Sequence, residues 1–214
     1  IEYGGYPWGY AKAATELGIT DNLNVYGDAE LTKGEAAKII FNMLTAPLII
    51  SNYGSDKHTF EKKYNDDMLS NTFGVHKARG TVLKNHILSL SSDDTKVKGG
   101  EVLIDDTVYK GGNTDAENKI GFQIEFYYIY DKDKEESEII YIGDKYENDT
   151  LEINAEDIES YKNGVYEYYD GEKTRRAVLD KDFSVAYNYS YPSAGFTEAM
   201  MIPKNGTVRL IKSG

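Results

Sequence analysis

Cysteine is absent from this chain of 214 residues, which excludes disulfides, zinc–thiolate sites and thiol nucleophiles. The absence does not fix a compartment, because exported proteins can also do without cysteine. Histidine is nearly as scarce. His58, His76 and His86 stand apart, with no H-x-x-x-H or H-E-x-x-H spacing for a metal. Positive charge is in deficit: 24 lysines and arginines face 36 acidic residues, a net of −12 that disfavours nucleic acid. No apolar run reaches the roughly eighteen residues of a spanning helix. There is no G-x-S-x-G elbow, P-loop or G-x-G-x-x-G, and Gly99-Gly100 and Gly111-Gly112 precede strands or turns, never a phosphate-binding helix. The chain opens at Ile1 in mid-pattern, without a methionine or signal peptide, and reads as part of a longer protein.

What is present begins with Leu31 to Leu44. Thr32 and Glu35 make the S/T-x-x-E pattern of a capping box, in which each side chain satisfies an orphan N–H at a helix start. Ala37, Ile40, Phe41 and Leu44 recur at i, i+3, i+4, i+7, one face of a helix that Pro47 stops. Upstream, Pro7 suits a first helical turn, Tyr10, Ala13, Ala14 and Leu17 repeat the same spacing, and Gly18 fits the left-handed position past a helix end. Short helices are marginal alone, so the two are expected to cover each other's apolar faces.

The run Gly4-Gly5-Tyr6-Pro7-x-Gly9-Tyr10, continued by Ala14-x-Glu16-Leu17-Gly18-Ile19, is followed by Leu31-Thr32-Lys33-Gly34-Glu35-Ala36-Ala37 and by Ile40-Phe41-Asn42-x-Leu44-Thr45-x-Pro47-Leu48. Together these resemble an S-layer homology (SLH) module, more specifically the last repeat of an array in clostridial surface proteins. The resemblance covers roughly Tyr3 to Leu48. It implies a helical anchor, usually present in threes, that holds an exported protein to an anionic secondary cell-wall polysaccharide. The family signature Ile-Thr-Arg-Ala-Glu falls on Leu31 to Glu35, which assigns glycan contact to Lys33. Lysine there lacks the planar fork with which arginine grips a carboxylate. The usual Gly-Tyr-x-Asp-Gly-x-Phe-x-Pro loop is replaced by Thr20 to Ala29. Thr32 and Glu35 are read either as a plain capping box or as glycan contacts. Trp8 either stacks on a sugar or packs the helix pair.

Residues 50–77 read as a linker, polar at first, with a short helix from Met68, Leu69 and Phe73 ending at Gly74. From Ala78 the period falls towards two. Thr81–Leu83, Ile87–Leu90, Glu101–Ile104 with Thr107–Tyr109 around the acidic turn Asp105-Asp106, and Phe122–Tyr130 with Glu138–Ile142 all read as strands. Thr150–Ile153, Gly164–Tyr169, Arg175–Leu179, Ser184–Tyr187, Glu198–Ile202 and Thr207–Ile211 follow, with Asp170-Gly171 and Asn205-Gly206 as tight turns. Ten or so short strands at this spacing predict an antiparallel barrel or sandwich. The expected fold class is therefore α+β, with an SLH-like helix–loop–helix over 1–49, the linker, and a β-rich domain over 78–214. Phrases such as Gly80-Thr81-Val82-Leu83, Ile120 to Tyr128, Glu156 to Ser160 and Ile202 to Val208 resemble the uncharacterised β domain that follows SLH arrays in some clostridial proteins, a likeness that implies no chemistry.

Candidate chemistry in the β part is sparse. Asp131, Asp133, Glu135 and Glu136 offer oxygens of the kind calcium takes, or form a solvated hairpin tip that protects an edge. Tyr127, Tyr128, Tyr130, Tyr141, Tyr166, Tyr168 and Tyr169 either line a sugar-binding face or serve as half-buried strand residues. Glycoside hydrolysis needs two carboxyls about 5–10 Å apart, and with this many acids no pair is singled out. The resulting expectation is a non-catalytic surface protein without a cofactor, its partners being cell-wall polysaccharide and upstream SLH repeats. Its site residues would be Lys33, Thr32, Glu35 and Trp8, outside a Gram-positive cell. A glycan-binding or adhesive β domain and an exported hydrolase are the alternatives.

Overall fold

Local signals account for the helices. A computed structural model gives the structure of residues 5–23, 30–53 and 58–214, and the chain divides into two units, 1–76 and 77–214. In the first unit α1 spans Trp8–Glu16 and α2 spans Lys33–Thr45, with Thr32 at the N-cap of α2. Asn42 ties the pair together, its amide donating to the carbonyls of Ile19 and Asp21 at 2.9 and 3.2 Å. The segment expected to be a linker is instead built into a hairpin. Strand β1 (Pro47–Tyr53) pairs antiparallel with β2 (His58–Asp67), and α3 (Met68–Phe73) follows directly. Asp67 and Ser70 form a second capping box, and Gly74 ends α3 in the left-handed conformation.

The helix faces differ from expectation in part. On α1, Ala13, Ala14 and the flanking Leu17 are half-buried as expected, and of that face only Tyr10 is exposed. On α2, Ala37, Ile40 (59%) and Phe41 are exposed, while Glu35, Ala36, Lys38, Ile39, Asn42 and Leu44 are half-buried. Periodicity marks an apolar face but does not say that the same segment supplies its cover. Among the described residues of this unit only Gly9 is buried.

The second unit carries two hydrophobic centres. Five strands, β3 (Val75–Lys84), β4 (Glu101–Ile104), β5 (Thr107–Lys110), β6 (Gln123–Asp131) and β7 (Glu136–Gly143), close a barrel in the order β3-β4-β5-β7-β6. That is the small five-stranded Greek-key class in which side chains fill the interior. All neighbours are antiparallel except β5 and β7, which run parallel and meet at Lys110 and Glu138. Val82, Val102, Ile104, Ile124, Phe126 and Ile139 fill the inside, with Tyr109 edge-on to Phe126 at 5.0 Å between ring centroids. A register shift between Tyr127 and Tyr128 leaves Ile140 unpaired, so Ile139 points inward while Ile140 and Tyr141 both face out.

Beyond the barrel, β8 (Asp149–Asn154) pairs with β12 (Thr207–Lys212), and β9 (Ile158–Lys162), β10 (Val165–Tyr169) and β11 (Thr174–Val178) form a three-stranded sheet. Ile153, Tyr166 and Met201 are the buried centre between them. The chain is thus mostly β with a few helices. Three expected strands are absent. Ile87–Leu90 turns back because the Asn85 side chain accepts the N–H groups of Ile87 and Leu88. Ser184–Tyr187 makes only an isolated bridge, Tyr187 with Ser190. Residues 198–201 wind into a 3₁₀ turn that buries Met201 while Glu198 accepts the N–H of Asn163. Strand β9, unforeseen, is polar and short.

Tyr166 is the side chain on which the second centre turns. It is 1% exposed, its hydroxyl donates to the Met201 carbonyl at 2.7 Å, and burial pushes the phenol well above its ordinary pKa. Tyr166→Phe leaves that buried carbonyl without its partner and should lower stability by about 1–2 kcal/mol. Removing the exposed hydroxyl in Tyr141→Phe should change the urea midpoint little by comparison. Equal midpoints for the two variants would contradict this account.

Candidate functional site

The four residues singled out by sequence lie at the starts of two helices. Thr32 and Glu35 commit their polar atoms to each other. The Thr32 backbone N–H and hydroxyl both donate to Glu35 Oε2 at 2.8 Å, and the Glu35 N–H donates to the Thr32 hydroxyl at 3.2 Å. Those bonds, the backbone one first, hold the Glu35 carboxyl below its ordinary pKa. Between these capping residues, Lys33 occupies the first turn of α2 with its side chain exposed. Trp8 opens α1 and is 82% exposed. The structure therefore leaves Lys33 and Trp8 open to solvent, and gives Thr32 and Glu35 a positioning task.

The remaining candidates divide. At the acidic tip, Asp131 accepts the N–H groups of Asp133 and Lys134 and pairs with the Lys134 ammonium at 2.7 Å, while Glu136 pairs with Lys110. No metal-holding group of three His, Asp or Glu occurs among the described residues. His86 contacts Glu117 at 3.0 Å, and Glu117 also accepts the Gly100 N–H. Of the seven tyrosines, Tyr166 is core, Tyr127 is buried, and Tyr128 packs on the barrel interior. Tyr130, Tyr141 and Tyr169 are exposed, and Tyr168 rests half-buried on the second centre. No continuous row of the seven faces solvent.

A charge cluster that sequence reasoning missed sits on the barrel wall. Glu125 is nearly enclosed and lies 2.9 Å from Lys77 and 3.2 Å from Lys145, with the Lys77 ammonium 5.6 Å from the Tyr127 ring centre. No sequence spacing joins residues 77, 125 and 145, because the barrel topology alone brings them together. Burial pushes the Glu125 carboxyl up, yet hydrogen bonds from both lysines bring it net below its ordinary value. Lys77 moves up overall, burial being outweighed by Glu125. Comparison of the chain with protein-family models, curated proteins and solved structures finds no match.

Two outcomes follow from this geometry. A carboxyl held below 4.5 contributes stability above that pH, lost as pH falls through its folded value. A lysine held above 10.5 contributes below that pH, lost as pH rises through its folded value. The stability difference between Glu125→Gln and the parent, about 1–3 kcal/mol, should be largest between these limits and shrink in acid. Urea titrations at stepped pH test it, and a pH-independent difference would exclude the charge cluster as its cause. Separately, Thr32→Ala should cost about 1 kcal/mol through the lost cap, seen as a lower helix melting temperature.

Proposed function

We propose that the chain is a non-catalytic part of an exported bacterial surface protein. Its first unit contributes to attachment on an anionic secondary cell-wall polysaccharide, and its second is displayed outside the wall. The observation that carries this reading is the openness of the helical unit. Trp8 and Tyr10 on α1, and Ile40, Phe41 and Met43 on α2, are all exposed. Five large apolar side chains left exposed on two short helices are uncommon on a self-sufficient module and suit surface that other elements cover. Packing against further repeats of the same kind, the arrangement implied by the SLH resemblance, supplies such cover.

In this reading Lys33 is the cation for the polysaccharide. The capping box fixes the backbone around it, and the N-terminal end of α2 adds a favourable partial charge for an anion. Trp8 provides an aromatic face for a sugar ring. An ammonium on a flexible stem attracts an anion without fixing its orientation, so each contact is weak and several repeats would act together.

Sedimentation with purified cell-wall sacculi tests the proposal on the full-length protein. The parent should co-sediment, and Lys33→Ala should weaken retention severalfold, by an amount that added salt diminishes. Thr32→Ala, which spares the charge, should have the smaller effect. A parent protein that stays in the supernatant, or a Lys33→Ala variant retained like the parent, would count against anchoring through this helix.

A further inference from the structure

The second unit contains a cleft of about 650 Å³ between β8 and the β10–β11 hairpin. Its chemistry is not that of a plain surface dent. Tyr168 and Arg175 are cross-strand partners, so their side chains emerge on the same face of the sheet, side by side. The inner part of Tyr168 is packed on the second hydrophobic centre, which fixes the ring. Arg175 is fixed as well. Its Nε donates to Asp170 Oδ2, and Asp170 Oδ1 accepts the N–H groups of Glu172 and Lys173 at 3.0 and 2.9 Å. A guanidinium anchored through Nε still carries its two terminal amino groups as donors. Tyr169 is pinned in the same turn, its hydroxyl donating to the Gly171 carbonyl at 3.1 Å.

The β8 side supplies acceptors. Asn154 donates to Asp157 Oδ2 at 2.8 Å, which leaves the Asn154 amide oxygen and the second Asp157 oxygen as acceptors. Glu152 stands at the rim, mostly exposed. The lining thus combines an oriented donor fork, carboxylate and amide acceptors facing it, and a fixed aromatic ring. Glu152, Asp157 and Asp170 outnumber the cations beside them, Arg175 against Asp170 and Arg209 at 3.9 Å from Glu152, so the lining stays acidic by one charge and disfavours polyanions. Hydrogen bonds from the turn and Arg175 keep Asp170 ionised far into the acid range, so this charge persists there.

We propose that this cleft binds an uncharged pyranose unit of an oligosaccharide, with Tyr168 beneath the sugar ring, Arg175 donating to ring hydroxyl oxygens, and Asn154 and Asp157 accepting from neighbouring hydroxyls. A hydroxyl is both donor and acceptor, so vicinal hydroxyls match a lining that offers both at short range. A tyrosine ring covers the C–H face of a pyranose while its hydroxyl stays wet. The site is independent of the anchoring reading: that ligand is anionic and belongs to the other unit, whereas this one is neutral.

Calorimetric titration of the full chain with neutral tetrasaccharides of N-acetylglucosamine, glucose, mannose and galactose, beside an oligogalacturonate of equal length, tests the proposal. At least one neutral tetrasaccharide should bind in the micromolar to millimolar range, with no heat from the oligogalacturonate. Tyr168→Leu keeps the apolar packing and removes the ring, and should weaken binding about tenfold or more, equivalent to at least about 1.4 kcal/mol. Arg175→Ala should do likewise, with thermal melting of both variants recorded to show that they fold. Glu152→Gln at the rim serves as a second variant that does not disturb the hairpin, and should move the affinity less. Lys33→Ala should bind the neutral sugar like the parent. The proposal is overturned if no neutral tetrasaccharide binds at millimolar concentration, if the oligogalacturonate binds as well as any of them, or if folded Tyr168→Leu and Arg175→Ala retain parental affinity. None of these results bears on retention by sacculi.

Discussion

Closing five short strands into a barrel forces one parallel contact, between β5 and β7, and that contact depends on a residue without a side chain. Gly112 follows β5 with φ +58°, and a Cβ there would run into the carbonyl oxygen of Ile139. With glycine in place the two strands approach, Lys110 pairs with Glu136 across the seam, and Ile139 is carried fully inside. A small barrel has no spare volume, so its interior residues must interdigitate at near-crystalline density. Each large one, such as Phe126, contributes about 2–3 kcal/mol by leaving water. Closure and packing therefore depend on each other. The β4 face opposite the interior is covered too. Leu103 points away from Val102 and Ile104 yet is 1% exposed, and its cross-strand neighbour Lys84 reaches over to the carbonyls of Asp93 and Thr95. The 85–100 connection thus lies along this face.

The barrel passes its order to the second sheet pair through two further contacts. Asn148 acts like a missing strand residue: its amide oxygen accepts the Gln123 N–H at 3.0 Å and its amino group donates to the Gln123 carbonyl at 2.9 Å. The same oxygen accepts the Gly214 N–H, so one side chain joins the start of β6 to the end of the chain. Gly121, at φ +86°, sits directly under Ile211 of β12, in a left-handed conformation that favours glycine and where a Cβ would displace the Ile211 side-chain end. Among the described residues of the first unit, the capping boxes at Thr32 and Asp67 are local devices, and the Asn42 bridge to Ile19 and Asp21 links the two helices through a single side chain. Local devices define elements but bury little area, and buried area is what stabilises a unit in isolation.

That contrast explains what the sequence made legible. The Thr32–Glu35 capping box, the Asp105-Asp106 turn and the charged β6–β7 tip are encoded in a few adjacent residues, and each is where the pattern placed it. Asn205-Gly206, by contrast, joins no hairpin, because 198–201 is a 3₁₀ turn and β12 pairs with β8. The β1–β2 hairpin was hidden because Ser51 to Asp67 is polar and charged, reading as a connection rather than alternation. The inward face of α2 was misassigned at Ala37, Ile40 and Phe41 for a different reason: an apolar stripe needs a cover, and the cover need not be the nearest helix. The Glu125 cluster and the Tyr168–Arg175 cleft were invisible because their members are brought together by register and closure. Asp170-Gly171 was legible as a turn, but not as the clamp that orients Arg175.

Tyrosine shows how one residue type separates by position. In a strand, alternation sends every second ring inward, and a bulge resets the count. Tyr166 falls on the inward count of β10, and its hydroxyl is satisfied by Met201. Two residues on, Tyr168 keeps the regular β10–β11 pairing opposite Arg175 and rests half-buried on the second hydrophobic centre, the register shift at this point being an extra residue, Glu159, on β9. Tyr168 is thus held by packing on one side and left accessible on the other. A ring so placed loses little conformational freedom on meeting a flat ligand, because folding has already ordered it. The exposed rings on the barrel are placed differently: Tyr130 lies beside a hairpin tip rich in lysine and aspartate, and Tyr141 lies beside unpaired Ile140 with its ring 6.0 Å from that of buried Tyr127. Tyr168, anchored from beneath and flanked by an oriented guanidinium, is the ring to which the proposed recognition is assigned for that reason.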